Sequence, residues 1–315
     1  MSGIEVLVDV IERANPSQVT FFCPRFSVGF LWKLIDELSL YRRRNLDEVN
    51  LYISNFNSEE ELAFSLNECI EIQDFFSNIK IYQIQVGKSE GFKKLLPGLL
   101  YLNGTSQKAY SFQADFSVLG FQNEKPLVST SVSKVFNELH ELSENSLKID
   151  RIYLNRINTN KTLQFATPAV VSVSSTVPDF RLWFFSSRTR KIHNAGAGLN
   201  WGQPTATRNR KDLNAAYVAV PTCLQKSELL PAVNEKFLCI FDDGIEIVMV
   251  RTGSNGKNLT SAYENQFFGR YIRFKLGVAP GQLITQSHLE LANMYGLNFY
   301  KLAFQKYVVE FVSKS

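Results

Sequence analysis

FLCIFDDGIEIVMV, Phe237 to Val250, is two apolar runs, Phe237–Phe241 and Ile245–Val250, hinged on Asp243-Gly244. An Asp-Gly pair between apolar runs of strand length supplies the positive-φ residues that a tight hairpin turn requires. The stretch therefore predicts two antiparallel strands. Asn255-Gly256, just downstream, offers a second turn of the same type. Beyond it Tyr271 to Leu276 alternates, with Ile272, Phe274 and Leu276 on one side and Tyr271, Arg273 and Lys275 on the other. That period predicts a half-buried strand with a basic exposed face. Thr285 to Asn293 has helical spacing, with Ser287 and Glu290 placed as a capping box and Gly296 just past its end. Phe299–Leu302 and Tyr307–Val312 read as closing strands. Many short strands with two short helices after Phe180 predict a small open barrel.

Upstream of the hairpin, Gly198 to Pro221 reads GLNWGQPTATRNRKDLNAAYVAVP. Asn200, Trp201 and Gln203 open it around a glycine, Arg208, Asn209, Arg210 and Lys211 follow in a turn-rich segment, and the apolar run Ala215–Val220 closes it as a strand. Guanidinium, amide and aromatic groups alternating in a loop pinned at both ends have the chemistry to read nucleic acid bases. Arginine reaches guanine edges with two parallel bonds, and Asn or Gln does the same to adenine, each good pair giving about 1–3 kcal/mol of discrimination. The same residues also suit a solvated hairpin loop. Trp201, beside glycine at a strand end, fits packing as well as recognition.

At 315 residues the chain is long enough for two ordinary domains. Apolar content of 45% with 20% charged residues is that of a folded chain. Residues 1–140 hold 13 Lys/Arg against 17 Asp/Glu, whereas 181–315 hold 17 against 9. Such asymmetry between halves points to a polyanionic partner for the carboxy-terminal half. Cys23, Cys69, Cys223 and Cys239 have no paired spacing, which argues against a zinc site or a disulfide framework, and no cofactor or metal is expected. MSGIEVLVDVIERANPS is an amphipathic helix carrying acidic residues rather than a signal peptide, and no apolar run approaches membrane-spanning length. The expectation is a cytoplasmic protein without a membrane partner.

Residues 1–145 alternate helix and strand signals. Ile4–Ala14, Val28–Leu40, a segment opening at Ser58–Leu62 and Val132–Leu142 read as helices; Val19–Phe22, Val49–Ile53, Ile79–Val86, Ala109–Phe112 and Val118–Phe121 read as strands. Interleaving at these lengths predicts a three-layer α/β domain with a largely parallel sheet. Residues 146–180, with strand-like Ile149–Leu154 and Val170–Val173, read as an interdomain segment, and 181–315 as the second domain.

Several strings of the second domain occur together in order: AGLNWGQ (Ala197–Gln203), the arginine segment running into AAYVAVP, FDDG (Phe241–Gly244), ENQFFGRYIRFKLGV (Glu264–Val278) and HLELANMYG (His288–Gly296). In these it resembles the recognition domain of the NgoFVII-type restriction endonuclease family. The resemblance covers nearly all of 181–315. It implies a mainly β pseudobarrel similar to the plant B-three transcription-factor fold, embracing the major groove of double-stranded DNA with two arms, Trp201–Lys211 and Lys257–Arg273. By residue type, Gln203, Arg208, Arg210 and Asn265 suit base edges, while Lys211, Lys257, Arg270 and Arg273 suit phosphates, which fix register without specifying sequence. Asn200, Trp201, Asn209 and Asn258 complete the expected DNA-binding set.

The same family's amino-terminal domain resembles the phospholipase D superfamily. Its chemistry needs a nucleophilic His two residues before a charge-neutralising Lys at a strand end, then a glycine turn with Ser and Asn. The matching place here is Ser106-Gln107-Lys108 followed by Gly120-Phe121-Gln122-Asn123. Lys108 and Asn123 keep the pattern. Ser106 stands for the His, Phe121 for the Ser and Gln113 for a frequent Asp, and residues 1–139 contain no histidine. Serine lacks the ability to shuttle a proton near neutral pH. The resemblance thus implies a homodimerising, degenerate phospholipase-D-like domain joined to a DNA-recognition domain, in a restriction-modification or related DNA-defence system. Two versions stay open: a metal-independent endonuclease using Lys108, Ser106 and Asn123, or a non-cleaving regulator or target-recognition subunit with a separate nuclease or helicase partner. His140, His193 and His288 are isolated in sequence and carry no metal role in either version.

Overall fold

The computed structural model describes residues 3–25, 27–38, 46–55, 59–84, 98–112, 127–144, 146–149, 177–186, 189, 191–209 and 212–313. The chain divides into two compact units, Met1–Pro168 and Ala169–Ser315.

In the first unit, β1 (Gln18–Arg25), β2 (Glu48–Asn55), β3 (Ile79–Ile84), β4 (Gly98–Asn103), β5 (Lys108–Phe112), β6 (Val128–Ser129) and β7 (Ser146–Lys148) form one sheet in the order β6-β5-β4-β1-β2-β3-β7. Alternation along β1 puts Val19, Phe21 and Cys23 into the core on one face. On the other face Phe22, Leu99 and Tyr101 pack against Val135, Leu139 and Leu142 of α4 (Val132–Glu144). Helices α1 (Gly3–Ala14), α2 (Val28–Glu37) and α3 (Glu59–Phe75) pack successively on one another, and the Trp32 indole donates to the buried Glu68 carboxylate at 3.1 Å between the last two.

Strands and helices thus interleave as the periodicity predicts, but the largely parallel sheet does not hold. β1 pairs in parallel with β2, and β2 with β3, while β4, β5, β6 and β7 all join antiparallel. The short reach from β4 to β5 explains that one pair, since parallel neighbours need a long crossover, while β4 and β7 pair with β1 and β3, which are distant in sequence. β4 itself had no signal in the sequence reading. Val118–Phe121, Val170–Val173 and residues 150–154 lie outside the described residues.

The second unit holds β8 (Phe180–Trp183), β9 (Val218–Ala219), β10 (Lys236–Phe241), β11 (Glu246–Thr252), β12 (Asn258–Ser261), β13 (Gly296–Ala303) and β14 (Lys306–Val312) in the order β8-β13-β14-β10-β11-β12-β9, with one turn of helix, α5 (Thr222–Gln225), between β9 and β10. β10 and β14 pair in parallel, and the other neighbours are antiparallel. The edge strands β8 and β9 approach each other, so the sheet curls into a nearly closed barrel. Its core is aromatic: Phe180 stacks on Phe299 at 4.6 Å, and Tyr307 meets Phe237 edge-on at 5.4 Å.

Both expected turns form. Gly244 (φ 89°) closes β10 onto β11, its amide donating to the Phe241 carbonyl at 2.9 Å, and Asn255 (φ 59°) and Gly256 (φ 66°) turn β11 into β12. Tyr271–Leu276 is not a strand. Phe267–Lys275 is helix α6, and its buried residues, Phe267, Phe268, Gly269, Tyr271, Ile272 and Arg273, wrap most of its circumference. Six residues are too short a window to fix a period, and buried Gly269 and Arg273 do not read as core positions, so the alternation over 271–276 is a coincidence. A second short helix, α7 (Gln286–Ala292), is capped by Thr285 and His288 rather than by Ser287 and Glu290, and ends on left-handed Asn293. Gly296 opens β13 instead. The strand expected over Ala215–Val220 shrinks to β9.

Candidate nucleic-acid interface

The loop from Gly198 to Ala216 has little regular structure, so its backbone polar groups need partners from side chains. Four buried or half-buried residues provide them. Asn200 is 0% exposed; its amide nitrogen donates to the carbonyls of His193 and Ile284, both at 2.8 Å, and its oxygen accepts from the Ile284 amide at 2.8 Å. Gln203, 7% exposed, donates to the carbonyls of Leu213 (2.7 Å) and Gly281 (3.0 Å). Asn214 accepts from the Gly281 amide at 2.6 Å. Arg273, 0% exposed, donates to Gln282 (2.9 Å), Gly269 (3.1 Å), Asn214 (3.2 Å), Leu199 (3.4 Å) and Leu213 (3.4 Å), every acceptor a backbone carbonyl. Burial pushes its guanidinium down to about 10, so it stays charged at neutral pH.

Asn200, Gln203 and Arg273 are therefore corrected: their bonding groups hold the loop to α6 and to the 281–284 segment rather than facing a ligand. Packing here is close. A Cβ on Gly202 would lie 1.9 Å from the Asp212 carbonyl oxygen, and one on Gly269 would lie 1.7 Å from that of Asn214. A buried arginine also braces the other arm. Arg251, 2% exposed and with its guanidinium lowered by burial, donates to Pro231 (2.8 Å), Gln225 (3.0 Å) and Gly256 (3.3 Å), fixing the turn that precedes Lys257. The FDDG turn is tied to α6 in the same manner: the Tyr271 hydroxyl and the Lys275 ammonium both donate to the Asp243 carboxylate, at 3.0 and 3.3 Å.

On this frame the remaining candidates face outward. Thr205 and Arg208 exchange backbone hydrogen bonds at 2.9 and 3.2 Å, a tight turn that leaves the Arg208 and Asn209 side chains exposed. The Arg208 guanidinium lies 6.0 Å over the ring of half-buried Trp201, and Trp201 meets Tyr217 edge-to-face at 5.6 Å. Lys257 and Asn265 are exposed, Asn258 and Arg270 half-buried. Arg210 and Lys211 lie outside the described residues.

Trp201 of the first arm and Asn258 and Asn265 of the second line one cleft of about 280 Å³, together with Asp212, Tyr217 and Thr260. The structure thus brings residues of the two arms together there, with the Arg208 guanidinium 6.0 Å from the Trp201 ring. Tyr217 and Thr260 escaped the sequence reading because each sits inside a short apolar or strand-like run. The signal that could have found them is polarity at a single register in those runs. Thr260 donates its hydroxyl to the Ala216 carbonyl at 2.8 Å, joining the cleft's two sides.

In the first unit, Ser106 and Lys108 are exposed at the turn between β4 and β5, and Asn123 lies outside the described residues with Phe121 and Gln113. His140 is exposed on α4, 3.7 Å from Glu144; His193 backs the Asn200 clamp through its carbonyl; and His288 caps α7. Among the described residues no group of three His, Cys, Asp or Glu could hold a metal ion, and no helix is long and apolar enough to cross a membrane.

Residues 179–303 match the family described as the NgoFVII C-terminal B3-like DNA-binding domain. No curated protein matches the chain. The matched range begins one residue before β8 and ends with β13, so it takes in both arms, the cleft and the buried clamps. The second unit of this chain is a member of the NgoFVII C-terminal B3-like DNA-binding domain family.

Proposed function

We propose that this chain recognises a short sequence in double-stranded DNA through its second unit, within a restriction-modification or related DNA-defence system. The observation that carries this reading is the meeting of Trp201 from the first arm with Asn258 and Asn265 from the second at one cleft, in a domain of a DNA-binding family. Arg208, Asn209, Asn258 and Asn265 supply base-edge chemistry, and Lys257 and Arg270 supply phosphate chemistry. Arg210 and Lys211 extend the first arm in the same sense. The excess of basic residues in 181–315 favours the encounter. Selection of bound duplexes from a random pool with the full chain tests it. Enrichment of one sequence that stays bound at moderate salt supports recognition, while uniform loss as salt rises overturns it.

The first unit is read as a phospholipase-D-like, homodimerising module without a competent nucleophile. One observation favours the non-cleaving version: the residue standing for the catalytic His is an exposed Ser106, and residues 1–139 contain no histidine to replace it. The chain then acts as a regulator or as a target-recognition subunit for a separate nuclease or helicase. Incubation with plasmid decides between the versions. Cutting in EDTA restores the metal-independent endonuclease with Lys108, Ser106 and Asn123; cutting only with magnesium removes the phospholipase-D-like assignment; no cutting in either supports the recognition subunit.

A further inference from the structure

Duplex DNA offers a protein flat base edges on the floor of its grooves and phosphates along its ridges. Neither fills a concave cleft of about 280 Å³, close to the lower end of the roughly 300–1,000 Å³ usual for small-molecule pockets. A thymine methyl group is too small for it. A phosphate is a poor match, because Asp212 contributes to the lining. What does suit it is a flat, aromatic, hydrogen-bonding plate. Trp201 and Tyr217 offer ring surfaces, and Asn258, Asn265 and Thr260 offer polar groups around them. Proteins that take a base out of the helical stack read it in this way, by stacking and by hydrogen bonds to its pairing edge.

Resting on the DNA-recognition reading above, we propose that the cleft beside Trp201 receives one nucleobase rotated out of the bound duplex. The acceptors it offers favour a base with an exocyclic amine, adenine, cytosine or guanine, over thymine. The Thr260 hydroxyl already donates to the Ala216 carbonyl, so it offers a ligand only lone pairs, and a carboxylate at neutral pH is also acceptor-only. Adenine, cytosine and guanine each carry an exocyclic amine that donates to such groups, and thymine carries none. Arg208, whose guanidinium carbon lies 6.0 Å from the Trp201 ring centroid, would hold the backbone of the displaced nucleotide.

The test uses the full chain and the duplex sequence it selects. At each position in turn, the base opposite is replaced by an abasic site, which removes the cost of breaking that pair. Rotation of one base predicts tenfold or tighter binding at a single position, that position being adenine, cytosine or guanine. Tyr217→Leu, and independently the exposed Asn265→Ala, should abolish the gain while leaving the melting temperature of Asn265→Ala unchanged. Sequence-specific binding with no gain at any position sinks the extruded base and leaves DNA recognition standing. Failure to select any sequence sinks both. A gain confined to thymine overturns the amine preference.

Discussion

The side chains of Gln203 and Arg273 meet on one acceptor, the carbonyl oxygen of Leu213, at 2.7 Å from Nε2 of the first and 3.4 Å from Nη2 of the second. Both have the chemistry to read base edges or phosphates, and both are used instead to hold the loop that carries Arg208. Arg273 also collects the carbonyls of Leu199 and Asn214, so the two ends of the first arm are drawn to one buried cation. The arm is shaped before any ligand arrives. Pre-organisation of this kind lowers the ordering cost of binding.

Removing that cation should be a stability event. Arg273→Ala leaves several buried carbonyls unpaired, each worth about 1–3 kcal/mol, so a loss of at least ~3 kcal/mol is expected. Thermal melting of the second unit should fall by roughly 10 °C. Arg273→Lys should rescue little, because a single ammonium cannot reproduce the planar fork. A melting temperature that stays put, with a shallower salt dependence of DNA binding, would return Arg273 to the phosphate contacts.

Gly269→Ala addresses the same contact through packing alone. Its Cβ would fall 1.7 Å from the Asn214 oxygen and 2.9 Å from the Ala216 Cβ, forcing α6 away from the cleft wall. Overpacking of this kind costs about 1–3 kcal/mol or more. The variant should melt earlier and bind DNA weakly, although the substitution touches no exposed arm residue. Unchanged melting and binding would show that the loop yields freely and is not braced as described.

How much of this was legible in the sequence follows from the range of each constraint. The Asp243-Gly244 and Asn255-Gly256 turns were readable because positive φ is a property of the residue itself. The identity of α6 was not, since a six-residue window fits either period and its buried Gly269 and Arg273 are not apolar side chains. The mixed strand order of the first sheet was hidden because pairing direction depends on partners distant in sequence. For Asn200 and Gln203 the obstacle is chemical. An amide donates and accepts equally well to an adenine edge or to a backbone carbonyl and amide, and residue type cannot tell the two apart. Arg208, Lys257 and Asn265 were placed on the arms by resemblance, and their exposure keeps them available.

Arg208 and Lys257 should separate by the kind of binding they lose. Arg208→Ala is expected to cost about 1–3 kcal/mol and relax preference at one base pair, with melting unchanged. Lys257→Ala should weaken all sequences alike and lower the salt slope by about one. Competition binding over a salt series reads both. An unaltered preference in Arg208→Ala would move that arginine to the backbone-contact class.

In the first unit the pair Glu48 and Lys80 sets a pH-dependent contribution that is independent of DNA. The Lys80 hydrogen bond holds the Glu48 carboxyl below its ordinary value, and Glu48 raises the Lys80 amine in turn; Gln18 adds a bond to Glu48 at 2.6 Å. A carboxyl lowered on folding contributes stability above its unfolded value and loses it as pH falls through the folded one. An amine raised on folding contributes below its unfolded value and loses it as pH rises through the folded one. The pair therefore helps most between about pH 5 and 10 and fades on either side. Lys80 is 41% exposed, so solvent screening keeps the effect within ~1 kcal/mol. Glu48→Gln should flatten the first unit's stability between pH 5 and 3 relative to the parent chain, measured by urea denaturation. An equally steep acid limb in the variant would place that pH dependence on other carboxylates.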